Sequence, residues 1–189
     1  MPFNLPNLIT WSRILLIPLI VGVYYLPDPW LSIAAKNIVA TSIFVFAAIT
    51  DWLDGYLARA LNQMSAFGAF LDPVADKLMV AGALIVLLQL GRVESAVALI
   101  IIGREIAISA LREWMASIGK SKSVAVAFVG KIKTASQMIA LPLLLYHDVL
   151  FGINCQALGT ILINVAAVLT VISMLYYLRK ALPHASAAG

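Results

Sequence analysis

The sequence predicts an all-α, polytopic membrane protein: a bundle of six transmembrane helices with both termini cytoplasmic. Three observations on this 189-residue chain carry that reading. Hydrophobic residues make up 62% and charged residues 12%, where a soluble domain carries about 45–50% and about 25%. The mean hydropathy of +0.99 is more apolar surface than a soluble body of this size can hide. Six apolar runs approach the roughly 20 residues a helix needs to cross a bilayer. They are too long for barrel strands, and lipid admits only helices and closed barrels. The same composition excludes a disordered chain, a collagen, a coiled coil and a secreted disulfide scaffold. The single cysteine, Cys155, leaves no partner for an internal disulfide.

The first span runs from Leu8 to Leu26 and ends at the Pro27-Asp28-Pro29 turn. Its apolar run is too long for a cleavable signal peptide and lacks a small-residue cleavage site, so it is expected to be retained. Phe3, Leu5 and Leu8 are expected as a short interfacial amphipathic piece before it. The second span covers Leu31 to Ala58, interrupted late by Asp51 and Asp54. Asn62 to Ser65 separates it from the third, Phe67 to Leu90, which ends at Gly91-Arg92. The fourth starts at Ser95 and ends between Arg112 and Ile118, before a Gly119–Ser123 loop. The fifth begins at Val124 or Lys131 and ends at Tyr146. After a Gly152–Gln156 connection the sixth runs from Ala157 to Leu178, followed by Arg179-Lys180. Residues 1–189 are read as one domain, without repeats. One set of helix ends carries Arg13, Arg59, Lys120, Lys122, Arg179 and Lys180. The other carries Lys36 and Arg92, offset by Asp28, Glu94 and Asp148. The positive-inside rule puts the first set in the cytoplasm. The net charge of +4 suits loops facing anionic lipid. With no basic run or aromatic-basic module, it is not a nucleic-acid signal.

Four of the nine acidic residues crowd into positions 51–76: Asp51, Asp54, Asp72 and Asp76. Asp51 and Asp54 are three apart and Asp72 and Asp76 four apart, so each pair shares a helix face. A short loop makes the two helices antiparallel neighbours, and the four carboxylates converge at one depth. Such a cluster among Trp52, Leu53, Phe70, Leu71 and Val74 is costly without counter-charge. The competing reading, a solvated loop, fits isolated aspartates better than this set. Oxygen-only ligands without His or Cys suit hard cations, Mg²⁺ or Mn²⁺. Two such ions are a recurring device for phosphoryl transfer. Gly55 and Gly68 permit close approach of backbone or ligand. Ala58 is small, Arg59 can grip a phosphate, Ser65 offers a hydroxyl, and Pro73 either starts a helix or kinks one.

Asp-x2-Asp-Gly-x2-Ala-Arg-x8-Gly-x3-Asp-x3-Asp, present here without a departure, resembles the signature of the CDP-alcohol phosphotransferases. The likeness extends to Asn7-Leu-Ile-Thr10-Trp-Ser-Arg13, Asp72-Pro-Val-Ala-Asp76-Lys77, Gly103-Arg104-Glu105, Leu111-Arg112-Glu113 and Gly130-Lys131-Ile-Lys133-Thr134, and so covers nearly the whole chain. It implies a six-helix, usually homodimeric enzyme of the bacterial inner membrane with its active site facing the cytoplasm. The implied reaction moves the phosphatidyl group of CDP-diacylglycerol to sn-glycerol 3-phosphate and releases CMP. By resemblance, Asp51, Asp54, Asp72 and Asp76 hold two divalent cations, and Asp76 is also the general base. Asn7, Thr10, Asp54, Gly55, Ala58, Arg59, Ser65 and Gly68 are the implied donor contacts.

An acceptor phosphate needs cations. Arg104 and Arg112, eight residues apart, lie on one face of the fourth span, and arginine binds phosphate with two parallel hydrogen bonds. Arg104, Arg112, Lys131 and Lys133 are expected to form this site, with Arg13 joining it or the donor phosphate. The alternative is that these chains snorkel to lipid head groups. Glu105 and Glu113 are expected as ion-pair partners of the arginines. His147 reads as an outer-loop residue and Cys155 as an apolar filler. Trp11, Trp30, Trp114, Tyr24, Tyr25, Tyr146, Tyr176 and Tyr177 read as interfacial belts. Ala34, Ala35, Gly82 and Gly159 read as points of close helix approach. A sister enzyme with a phosphatidylglycerol, inositol phosphate or serine acceptor would share the acids and differ in this pocket. A divalent-cation transporter would string its carboxylates across the bilayer instead of gathering them.

Overall fold

A computed structural model describes residues 5–60, 66–119 and 128–185. Six helices account for nearly all of them: α1 (Leu5–Val23), α2 (Ile33–Ala60), α3 (Ala66–Gln89), α4 (Ser95–Ser117), α5 (Phe128–Tyr146) and α6 (Cys155–Ala185). Between α5 and α6 lies a two-stranded hairpin, β1 (Val149–Leu150) with β2 (Ile153–Asn154). Spans 33–51 and 155–179 are long and apolar enough to cross a membrane, and 10–23 is a shorter apolar stretch. Charged side chains interrupt the apolar runs of α3, α4 and α5.

Buried residues recur at helical spacing and point inward: Ala40, Phe44 and Ala47 on α2, Met79, Ala83 and Leu87 on α3, Leu141 and Leu144 on α5. The opposite faces are apolar and exposed, as at Leu15, Ile49, Ile85, Leu99, Ile106 and Val168, a surface suited to lipid. α5 and α6 share the most extensive contact. α1 packs on both α2 and α3, and α4 packs on α6 and α3. Gly159 sits where α5 and α6 press closest. A Cβ there would lie 2.8 Å from Leu144 Cγ and 3.2 Å from its backbone nitrogen. Gly159→Val is expected to cost about 1–3 kcal/mol through overpacking, read as a lower melting temperature in detergent. An unchanged melting temperature would count against so tight an apposition.

Several elements differ from the sequence expectations. α1 starts at Leu5, so Leu5 and Leu8 belong to that helix and not to a separate interfacial piece; Phe3 lies outside the described residues. Pro73 stands inside α3, which begins at Ala66, and therefore does not start a helix. α6 begins at Cys155 and continues past Leu178 to Ala185, because Arg179 and Lys180 are compatible with helix and do not end it. Asn154 Oδ1 accepts from the Ala157 amide at 3.0 Å and caps the α6 start. The loop before it is a hairpin with Phe151 and Gly152 both at positive φ, 51° and 81°, the conformation of a two-residue type I′ turn. Tyr177 is fully buried and so is no belt residue, whereas Trp11, Tyr25, Trp30, Trp114 and Tyr176 are exposed.

The end of the bundle away from the acids is tied by two cations. Arg92 donates to the carbonyls of Leu144 (3.1 Å) and Leu145 (2.8 Å) and to Asn37 Oδ1 (2.9 Å). It joins the α3–α4 turn to the end of α5 and to α2. Gly91 makes this turn possible: at φ 67° it closes α3 through Gly91 N–H to Leu88 O and Arg92 N–H to Leu87 O. Lys36 donates to Leu26 O at 2.6 Å and to Asp28 Oδ1 at 2.7 Å. Burial, aided by the Arg92 charge, holds the His147 imidazole below its usual pKa.

Candidate active site

At about 1.5 Å per residue, Asp51 lies about 27 Å along α2 from Ile33, at the end of the 33–51 stretch that is long and apolar enough to cross a membrane. α1 supplies the partners of the acids. Thr10 and Arg13, three residues apart, both face inward and are buried. Thr10 Oγ1 donates to Asp72 Oδ1 at 2.6 Å. Arg13 Nη1 donates to Asp51 Oδ1 at 2.5 Å and to Asp76 Oδ1 at 3.0 Å. One guanidinium nitrogen thus joins carboxylates from α2 and α3, while the two aspartate side chains stay 40% and 47% exposed toward the cavity. Of the two places expected for Arg13, the acceptor-site cations or the donor side, its contacts put it beside the acids and away from the other cations. A helix lying across two others decides which charges its side chains meet.

Two carboxylate oxygens that share one nitrogen are within reach of a single cation, and the donor set is all oxygen. That chemistry fits a hard divalent ion. Among the described residues no group of three acidic, histidine or cysteine side chains gathers tightly enough to hold a metal by itself. The side chain of Asp54, the fourth acid, lies outside the description, as do those of Asn7, Ala58 and Arg59; Gly55 is placed only as helix backbone, and Ser65 is wholly outside. Gly68 is buried in the first turn of α3.

The basic residues come from α4 and α5. Glu105 Oε1 accepts from Arg104 Nη1 at 3.0 Å and also from Lys133 Nζ. Arg104 Nη2 reaches Ser173 Oγ on α6 at 3.4 Å. Arg104 is 9% exposed and Lys133 1%, so neither snorkels outward. Arg112 is exposed, with its guanidinium carbon 5.9 Å from the Tyr177 ring centroid, a cation–π contact. Two expectations need correction. Lys131 is exposed and not part of the cavity wall, because two residues on a helix are about 200° apart and only Lys133 can face inward. Glu113 is exposed and forms no ion pair with Arg112 among the described residues; Glu105 alone is shared, by Arg104 and Lys133.

Both groups line one cavity of about 380 Å³. Asp51, Asp76 and Lys77 stand on the α2–α3 side, Arg104, Glu105 and Arg112 on α4, and Lys133, Thr134 and Gln137 on α5. Met79, Val80 and Met138 supply apolar lining. Gln137 was not singled out from sequence; Thr134 entered only within the Gly130–Thr134 likeness and Tyr177 only as a belt residue, and all three line the cavity. The signal for Gln137 was there: a polar residue one turn beyond Lys133, just before the apolar run 138–145.

Residues 3–172 match the family model for CDP-alcohol phosphatidyltransferase. The chain belongs to that family. Its similar relatives include proteins of Salmonella choleraesuis, Shigella flexneri and Escherichia coli, each 50% identical over 183 residues, or 96% of both chains. All three are named CDP-diacylglycerol–glycerol-3-phosphate 3-phosphatidyltransferase. Within this CDP-alcohol phosphatidyltransferase two of the signature acids, Asp51 and Asp76, and the buried basic pair thus open onto the same space.

Proposed function

We propose that the chain transfers the phosphatidyl group of CDP-diacylglycerol to sn-glycerol 3-phosphate, giving phosphatidylglycerophosphate and CMP. The observation that carries this is the single cavity with carboxylates on one wall and buried cations on the other. A lipid-linked diphosphate needs the first wall and a phosphorylated alcohol the second. Asp51, Asp54, Asp72 and Asp76 would hold divalent cations, Mg²⁺ or Mn²⁺ and two in number. When bound, these screen the diphosphate charge and favour departure of CMP.

The chain's own residues supply positioning and proton transfer. Arg104, Arg112 and Lys133 hold the acceptor phosphate, which orients its primary hydroxyl toward Asp76. Asp76 takes the hydroxyl proton as the oxygen attacks the β-phosphorus, the one esterified to diacylglycerol. A new P–O bond forms, the P–O bond to the bridging oxygen breaks, and CMP leaves with that oxygen. Arg13 holds Asp76 and Asp51 in place from behind. Asn7, Thr10, Gly55, Ala58, Arg59, Ser65 and Gly68 are assigned to the donor. The protein works as a homodimer in the bacterial inner membrane with six spans. The basic helix ends and the site face the cytoplasm, where glycerol 3-phosphate is available.

Purified enzyme with CDP-diacylglycerol and radiolabelled acceptors tests the assignment. Product is expected from glycerol 3-phosphate alone. Product from inositol phosphate, serine or phosphatidylglycerol in its place would overturn it. Arg112→Ala is expected to raise the acceptor KM about 10- to 100-fold, the worth of a charged hydrogen bond, and to leave the donor KM within about threefold. Equal rises in both would remove Arg112 from the acceptor site.

A further inference from the structure

One polar group in the cavity wall is left over from this account. Gln137 lies one turn beyond Lys133 on the same face of α5 and is 3% exposed. Its Oε1 is buried with no hydrogen-bond partner. Around it, Lys133 Nζ and Arg104 Nη1 are committed to Glu105, Arg104 Nη2 reaches Ser173, and Thr134 donates to the Gly130 carbonyl at 2.9 Å; Arg104 Nε is, like the Gln137 oxygen, buried without a partner. A buried amide oxygen without a partner is a standing cost to the fold. It is tolerated where a ligand supplies the missing hydrogen bond. The missing group must be neutral and small, because the cations one turn away already take the phosphate.

Glycerol 3-phosphate has such a group to spare. Its primary hydroxyl is the nucleophile, and its secondary hydroxyl, on the carbon between, takes no part in the reaction. One helical turn, about 5.4 Å, is the scale of the step from the phosphate to that hydroxyl. A hydroxyl both donates and accepts, so it serves either end of the amide. We propose that Gln137 is a specificity-determining residue that hydrogen-bonds the secondary hydroxyl of the acceptor and selects a 1,2-diol phosphate over a simple hydroxyalkyl phosphate. This rests on the glycerol 3-phosphate reading above and adds the residue that reads the acceptor's middle carbon.

The test compares sn-glycerol 3-phosphate with 3-hydroxypropyl phosphate, which lacks only the secondary hydroxyl. The unaltered enzyme is expected to favour glycerol 3-phosphate strongly in kcat/KM, since a site built for a hydroxyl rejects the analogue without it. Gln137→Met keeps length and helix propensity and removes the amide. It is expected to lower kcat/KM for glycerol 3-phosphate about 10- to 100-fold. The value for 3-hydroxypropyl phosphate should stay within about threefold, and the metal-free, substrate-free melting temperature should not fall. Gln137→Asn keeps the amide but withdraws it by one methylene and should discriminate to an intermediate degree. Equal use of both acceptors by the unaltered enzyme overturns the proposal without any variant. So does unaltered-enzyme discrimination in the variants, or an equal loss on both acceptors. Failure of the unaltered enzyme to use glycerol 3-phosphate at all is a different result: it removes the function reading and this role with it.

Discussion

Asp76→Asn is expected to lower turnover by a factor on the order of 10³ or more while the protein stays folded. Removing a positioned general base alone costs about 10²–10⁴, and the same change removes one of the acids assigned to the cations. The fold should tolerate it. Asn keeps the shape of Asp, its amide oxygen can still accept from Arg13, and Arg13 retains Asp51 at 2.5 Å. Two measurements separate the roles: kcat with both substrates saturating, and the melting temperature with and without Mg²⁺. The variant should melt near the unaltered protein without metal and gain less on adding it. Turnover at the unaltered level would sink the base assignment, and an undiminished Mg²⁺ shift would remove Asp76 from the metal site.

Glu105→Gln should have the largest effect on stability. Glu105 stands between Arg104 and Lys133, both at least nine-tenths buried. Removing one partner of a buried ion pair costs about 3–5 kcal/mol, because the remaining charge is left uncompensated. Here two like charges remain, although Gln still accepts a hydrogen bond, so about 3 kcal/mol is expected. For a chain of this size that lowers the melting temperature by roughly 6–12 °C. The deficit is in negative charge, so an anion should repair it. Inorganic phosphate or glycerol 3-phosphate should raise the variant's melting temperature more than that of the unaltered protein. A variant as stable as its parent, or one indifferent to phosphate, would refute the account of this wall.

What the sequence made legible was whatever depends on one helix at a time. The spacing of Asp51, Asp72 and Asp76 places them on helix faces directly, and Asp72 and Asp76 do face the partners that α1 brings. The starts and ends of α2, α3 and α4 follow Pro, Gly and polar breaks. What stayed hidden depends on how helices lie across one another. Arg13 meets Asp51 and Asp76 from 38 and 63 residues away, and only the path of α1 across α2 and α3 decides that. Lys131 and Lys133 look alike in a sequence window, and only the rotation of α5 separates them. Tyr177 near the end of an apolar run reads as an interfacial residue until α4 is packed over it and Arg112 covers its ring. The hairpin at 149–154 is too short for alternation to announce it, and Phe151 takes a φ that glycine or asparagine usually occupies.

The clasp made by Arg92 has a mechanical corollary. Its guanidinium pins the last turn of α5 to α2 and to the turn joining α3 and α4. Four helices are thus riveted at one extremity, like the soldered handle of a pair of tweezers. Any relative movement of those helices therefore has its pivot at this end, on the far side of the bundle from the acids.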